Sequence, residues 1–314
     1  MIESEICRLL DIRYPILQGG MAWIADSHLA AAVSEAGGLG IISAMNASVE
    51  YLKEQIDTAR TLTSRPFGVN VMLMSPHAPA VAEVLAEKKV PVVTTGAGNP
   101  SRYIQMWKDA GIKVIPVVPS VATARMVARA GADAVIAEGG ESGGHIGEMN
   151  TMALIPQVCD AVDIPVIAAG GIGDGRGLAA ALMLGACGIQ MGTRFLVASE
   201  CGIHQNYKNK VLKASDIDTI VTGRRLGHPV RSLKTRFTRE YSRMESDSEI
   251  TDEKLEGLAV GALRLAAVDG DNERGCFIAG EIAGLIKKEQ TSAEMIREIM
   301  EQSEILLRGT KWVK

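Results

Sequence analysis

The sequence predicts an α/β chain folded as a (β/α)8 TIM barrel, with a small, mainly helical C-terminal domain inserted before the last helix. Three observations carry this reading. Eight short runs rich in apolar and β-branched residues recur through the first 195 or so of 314 residues, a helix-like stretch follows each of them, and that alternation stops near Phe195. Runs apolar on both faces suit a parallel sheet buried beneath helices, and strand–helix alternation implies crossover connections.

The runs occupy residues 15–18, 39–43, 67–72, 91–94, 114–118, 134–137, 165–169 and 188–191. Four begin at or beside a proline (Pro15, Pro66, Pro91, Pro165), whose missing N–H is tolerated at a strand start. Between the fifth and sixth runs, Ser120-Val-Ala-Thr-Ala-Arg-Met-Val-Ala-Arg-Ala places apolar residues at helical spacing and ends before Gly131, a residue suited to a helix C′ position. Beyond the barrel, Leu255, Leu258, Ala259, Leu263 and Ala266 share a face of a helical pattern over 252–268. Thr291, with Glu294 three residues later, forms a capping box opening a final helix. Its Met295, Ile299, Met300 and Leu306 are expected to pack back on the barrel. The expected units are a barrel over 1–200, a mainly helical domain over 201–290 and a returning helix over 291–314.

Lys+Arg 33 against Asp+Glu 37 gives a net charge of −4, with 47% hydrophobic and 22% charged residues. A mildly acidic chain lacks the positive field of a nucleic-acid binder, and no apolar run approaches the length of a spanning helix, so neither nucleic acid nor membrane is an expected partner. The five cysteines are scattered, without a C-x-x-C pair, and the first residues are acidic, as in a reduced cytoplasmic protein without a secretory leader. Residues 207–243 depart from the average, with ten basic side chains against three acidic ones.

Chemistry in such barrels sits at the C-terminal strand ends. Gly170-Gly171-Ile-Gly173 follows the seventh run and Gln190-Met191-Gly192-Thr193-Arg194 the eighth. Glycine-freed N–H groups there make an anion cradle, the usual phosphate site of these barrels. A third cluster, 138–147, follows the sixth run and holds His145, the only histidine in a strand-end glycine loop, with a near-neutral ordinary pKa suited to proton handling or hydrogen bonding. Gly140-x-Ser142-x-Gly144 matches the hydrolase elbow only formally. No run ends in a Schiff-base lysine and the histidines form no ligand cluster, so no metal is expected. The remaining strand ends, with Gly20, Met21, Ala22, Met45, Asn46 and Asn70, are small, apolar or amide-bearing and suit a flat, partly polar ring. Asn70 and Gln190 supply donors and acceptors, Met21 faces the site, and Met72 and Met74 are read as core filling.

At these residues the sequence resembles the flavin-dependent enoyl-acyl-carrier-protein reductase II family within the wider nitronate monooxygenase superfamily. The resemblance spans essentially the whole chain, through Pro15-Ile-Leu-Gln-Gly-Gly-Met-Ala22, Gly37-Gly-Leu-Gly-Ile-Ile42, Gly68-Val-Asn-Val-Met72, Glu138-x-x-Glu-Ser-Gly-Gly-His-Ile-Gly147, Ala168-Ala-Gly-Gly-Ile172 and Gln190-Met-Gly-Thr-Arg-Phe195. It implies FMN as cofactor, NADH or NADPH as hydride donor and a trans-2-enoyl thioester of acyl carrier protein as acceptor. It also implies a homodimer and stimulation by a monovalent cation. The implied cofactor residues are Gly20, Met21, Ala22, Met45, Asn70, Glu138, Ser142, Gly143, Gly144, Gly170, Gly171, Gln190, Met191, Gly192 and Thr193, with His145 catalytic. The basic stretch is then read as a docking face for the acidic carrier, as a solvated surface or, in part, as a contact for a nicotinamide dinucleotide phosphate. The nearest alternative is a nitronate monooxygenase, using the same FMN site with oxygen as acceptor.

Overall fold

The computed structural model describes residues 2–45 and 48–309, so Asn46 and the final five residues of the returning segment lie outside the described residues. In chain order the strands are β1 (Ile16–Gln18), β2 (Gly40–Ser43), β3 (Phe67–Met72), β4 (Val92–Gly96), β5 (Lys113–Val118), β6 (Val135–Glu138), β7 (Gly144–His145), β8 (Val166–Ala169), β9 (Gly188–Met191), β10 (Thr219–Thr222) and β11 (Val230–Leu233). Eight of them form one parallel sheet in the order β1-β9-β8-β6-β5-β4-β3-β2. These are the eight runs read from sequence, with ends shifted by at most two residues. Gly131 has φ +98°, the left-handed geometry of a C′ glycine after helix Val121–Arg129.

The sheet curls until its edges meet at a narrow seam. Leu17 and Leu39 form a single parallel bridge, with Gln18 N–H donating to Leu39 C=O at 3.0 Å and Leu39 N–H to Ile16 C=O at 2.9 Å. One residue further along, a side chain replaces the ladder. The fully buried Gln18 accepts from Ile41 N–H through Oε1 at 3.0 Å and donates from Nε2 to Ile41 C=O at 3.1 Å, and also to Gly19 C=O. Both backbone groups of Ile41 facing β1 are thereby satisfied in a water-free place, where an unpaired one would be costly.

Leu17, Leu39, Ile41, Ile115, Ile136 and Ile167 fill the barrel interior. Helix Glu5–Leu10 closes its N-terminal end by adding Ile6 and Leu10 to that cluster, and Ser4 Oγ ties it to Cys187 C=O. With this end plugged, the opposite mouth is left for a site. The outer helices start on side-chain caps, among them Asp26, Ser48, Ser120 and Asp174, as short polar residues before apolar-periodic segments dictate.

Helix Ser292–Arg308 opens on the Thr291–Glu294 capping box and packs on helices Gly175–Met183 and Ser27–Glu35, the outer layer flanking the β9–β1 side of the barrel. Met295, Ile296, Ile299 and Met300 form its buried stripe, whereas Leu306, expected in that stripe, is 42% exposed because it lies past the barrel edge. Residues 201–290 contain helices but also the antiparallel hairpin β10–β11. The expected helix over 252–268 is divided. Helix Asp252–Ala259 stops before Gly261, whose φ is +75°, and a π-helical turn, Leu265–Asp269, follows. No helix among the described residues is long and apolar enough to cross a membrane.

Candidate active site

The open mouth of the barrel holds a cavity lined by loops from the C-terminal strand ends and by Leu263, Ile278, Gly280 and Ile282 of the later segment. His145, Gly20, Met21, Ala22, Met45, Asn70, Glu138, Ser142, Gly143, Gly144, Gly170, Gly171, Gln190, Met191, Gly192 and Thr193 all line it. Met72, expected in the core, lines the same wall, and Met74 is 56% exposed because its turn leaves the barrel. Leu263, Ile278, Gly280 and Ile282 were not legible as site residues. They arrive from distant sequence with ordinary core composition and no local signal.

The sixth-strand loop is held from outside. Its β7 segment pairs with β11, setting Val230 opposite His145 and Arg231 opposite Gly144, and so extends the β10–β11 hairpin into a three-stranded sheet. Arg231 secures the loop's other limb, donating to Gly140 C=O from Nε at 3.2 Å and Nη2 at 3.0 Å, while pairing with Glu281 at 3.0 Å and reaching Thr219 Oγ1 at 3.2 Å. Glu141 accepts from Thr151 N–H at 3.0 Å, fixing the loop to the start of helix Thr151–Cys159. At Gly143 a Cβ would stand 2.7 Å from the backbone of Ala279 and Gly280, so only glycine lets the loop lie against that segment. This sheet was invisible to a reading that took 201–290 as mainly helical, although Thr219-Ile-Val-Thr222 and Val230-Arg-Ser-Leu233, separated by Gly223 and Gly227, carry strand and turn chemistry.

The loop presents His145 at the cavity rim. Its ring stands edge-on to His228 with centroids 6.4 Å apart, and its pKa is lowered first by the surrounding protein and then by His228. The imidazole is therefore neutral near pH 7, able to donate one hydrogen bond and accept another. Deeper in, Glu138 is enclosed. Burial raises its carboxyl from the ordinary 4.5 to about 7, and the nearby Ser142 hydroxyl, not within bonding distance, opposes the rise. The Ser142 Oγ is itself buried without a hydrogen-bond partner.

Because the folded chain holds the Glu138 proton more tightly than the unfolded chain, this group's full stability persists below about pH 4.5 and is lost as pH rises through about 7. The loss is up to about 3 kcal/mol. Glu138→Gln is accordingly expected to gain in Tm relative to the parent as pH rises from 5 to 8. Parallel Tm curves across that range would remove the assignment.

The far wall offers a built cradle. Gly170 and Gly171 turn through φ +89° and +71°, and the N–H groups of Gly171, Gly192 and Thr193 donate to no protein acceptor among the described residues. Thr193 opens a 3-10 turn, Thr193–Val197, and accepts from Gly280 N–H at 2.9 Å. Free N–H groups converging from two strand ends suit a phosphate. On the floor, Thr94 Oγ1 donates to Asn70 Oδ1 at 2.9 Å and Asn70 Nδ2 reaches Gly20 C=O at 3.5 Å, which fixes the amide's orientation beside the buried amide of Gln190. The orphaned Ser142 hydroxyl, the open amide of Gln190 and the N–H cradle together fit a flat polar ring carrying a phosphate arm, as FMN does. No group of three or more His, Cys, Asp or Glu able to hold a metal ion occurs among the described residues.

Of the basic side chains in 207–243, Lys208 is buried against Ala198 C=O, Lys210 lies over Phe277, Arg225 pairs with Asp252, Arg231 serves the loop and Arg236 pairs with Glu273. Lys234 bonds Ile217 C=O. Lys213, Arg224, Arg239 and Arg243 stay exposed.

The nitronate monooxygenase family model matches residues 3–83 and 79–302 of the chain. The solved structure of FabK from Thermotoga maritima superposes with a TM-score of 0.96 at 51% identity, covering 98% of each chain. A probable nitronate monooxygenase of Staphylococcus saprophyticus is 33% identical, with 98% of this chain and 99% of that one aligned. A relative from Rhodococcus jostii, named (3aS,4S,5R,7aS)-5-hydroxy-7a-methyl-1-oxo-octahydro-1H-indene-4-carboxyl-CoA dehydrogenase, is 42% identical over 74% of this chain and 66% of its own length. The chain thus spans just under two thirds of that relative.

Proposed function

Because the chain belongs to the nitronate monooxygenase family, an oxidoreductase family in which FMN is typical, we propose that it reduces the trans-2-enoyl thioester of acyl carrier protein, with NADH or NADPH as hydride donor. The observation that carries this reading is the loop 138–147, whose His145 is held at the rim of the cradle-bearing cavity by the β7–β11 pairing. The similarity to FabK, and a relative named for dehydrogenating a CoA thioester, support thioester rather than nitronate chemistry.

Gly170, Gly171, Gly192 and Thr193 would hold the FMN phosphate, and Gly20, Met21, Ala22, Asn70 and Gln190 its ring system. When bound, FMN supplies reversible two-electron storage, linking the nicotinamide to the thioester. The chain's own contribution is positional and electrostatic. A neutral His145 donates to the thioester carbonyl oxygen, where negative charge develops as hydride adds at the β-carbon. Leu263, Ile278 and Ile282 add apolar side chains to the cavity wall and limit water. Arg224, Arg239 and Arg243 form the docking face for the acidic carrier. The proposal includes a homodimer, cytoplasmic location and monovalent-cation stimulation.

The test is anaerobic. The flavin of the purified protein is expected to bleach with NADH or NADPH and to recover its oxidised spectrum when crotonyl-CoA is added. Flavin that resists nicotinamide, or that reoxidises only with oxygen while a nitronate is consumed, would select the monooxygenase reading. In the same assay an Arg239→Glu/Arg243→Glu variant should raise KM for carrier-linked but not CoA-linked substrate; equal effects would dismiss docking.

A further inference from the structure

A second cavity, of about 430 Å³, adjoins the first, and Ile24 and Met45 line both. The division arises at Trp23, a bulky residue held at φ +62°, in the left-handed region that only a constrained turn imposes on such a side chain. Before it Met21 and Ala22 line the catalytic cavity, while Trp23, Ala25 and Asp26 line the second. The opposite wall comes from Ile203, Ala267 and Val268 of the later segment.

Several polar atoms on this wall already accept hydrogen bonds from the backbone. Asp26 Oδ1 accepts from Leu29 N–H at 2.9 Å, Gln55 Oε1 from Ser27 N–H at 2.9 Å, Ser43 Oγ from Met45 N–H at 3.3 Å and Ser48 Oγ from Tyr51 N–H at 3.2 Å. Arg264 pairs with Asp269 at 3.2 Å, and its guanidinium lies 5.9 Å from the centre of the Trp23 ring. The Tyr51 hydroxyl and the Gln55 amide nitrogen are left without such a bond among the described residues, while Ile24, Ile42, Met45, Ile203, Ala267 and Val268 bring no polar side-chain atom to the cavity. A nucleotide's phosphates would meet Asp26 and only one cation on this wall, Arg264, already paired with Asp269, at a desolvation cost. An aliphatic chain needs no polar partner and gains about fourfold in affinity for each methylene buried.

We infer that the second cavity receives the acyl tail of the thioester substrate, with Ile24 and Met45 forming the passage from the reacting carbons to the tail. The inference rests on the thioester reading of the catalytic cavity and adds a chain-length determinant to it. Val268 is 48% exposed while lining the cavity, so a larger side chain there intrudes without repacking the core.

Val268→Trp is the test, with Ala267→Leu as a second filling variant, both checked for flavin content. Kinetics are compared on crotonyl-CoA and trans-2-decenoyl-CoA. The expected result is a fall of at least about tenfold in kcat/KM for the ten-carbon substrate, with crotonyl-CoA turnover and the nicotinamide KM within about twofold of the parent. A parallel loss on both substrates, a rise confined to the nicotinamide KM, or unchanged chain-length preference in both variants would overturn it. A parent enzyme that reduces neither thioester would instead bring down the reductase reading, and this inference with it.

Discussion

Replacement of His145 by alanine is expected to lower kcat for enoyl-thioester reduction by a factor of about 100 to 1000, the usual loss when one donor to a developing oxyanion is removed. The flavin should stay bound and should still bleach with nicotinamide, because the cradle at Gly171, Gly192 and Thr193 lies on other strands. Stopped-flow spectroscopy separates the two halves of the reaction. His145→Gln, which keeps an N–H donor but cannot titrate near neutrality, should recover part of the rate if hydrogen bonding is the role. Full turnover in His145→Ala would end the catalytic assignment. With the imidazole pKa lowered, the activity should not depend on an imidazolium, so kcat should not rise on acidification from pH 7 to 6.

Arg231→Met should produce the second large effect, and it should do so without touching substrate. The guanidinium is 14% exposed and serves Gly140 C=O, Thr219 and Glu281 together, so its removal leaves the Gly140 carbonyl without its donor and ends the pairing with the half-exposed Glu281. The expected cost is about 2–3 kcal/mol, from lost hydrogen bonds to a charged group. That should appear as a Tm drop of roughly 5 °C or more. Because β7 and β11 pair beside this anchor, kcat should fall by about tenfold with KM for crotonyl-CoA little changed, the mark of a misplaced His145. Arg231→Lys should restore only part of both, since a single ammonium cannot span the three partners. A variant with lowered Tm and parental kcat would reduce Arg231 to a stabilising contact.

The barrel was legible because its signals are local. Each strand is a short apolar run bounded by glycine, proline or polar residues, and each helix cap lies within a few residues of its helix. The strand-end glycines and His145 were legible for the same reason, since the barrel rule converts chain position into position in space. What escaped depends on partners far apart. Nothing near Gln18 announces that its amide will replace a ladder with Ile41. The charge count over 207–243 overshadowed the alternation of Val230 and Ser232 and hid the strand carrying Arg231, a side chain turned inward to a loop some ninety residues earlier. The second cavity is assembled from separate stretches around residues 23–26, 42–55, 202–203 and 264–268, so no window of sequence contains it.

The two neighbours of β1 in the barrel are made at opposite ends of its synthesis. β1 leaves the ribosome first, yet its ladder partner is β9, and the helix before it is tied to Cys187. At about 5–20 residues per second, β9 follows β1 by roughly ten seconds or more. Throughout that interval β2, β3, β4 and β5 can pair successively, each with its neighbour in sequence, while β1 has only the bridge to Leu39 and the Gln18 amide to hold it at the sheet edge. The side chain that ties β1 to β2 through both backbone groups of Ile41 thus needs only residues made early, whereas the β1–β9 ladder needs the last strand of the barrel.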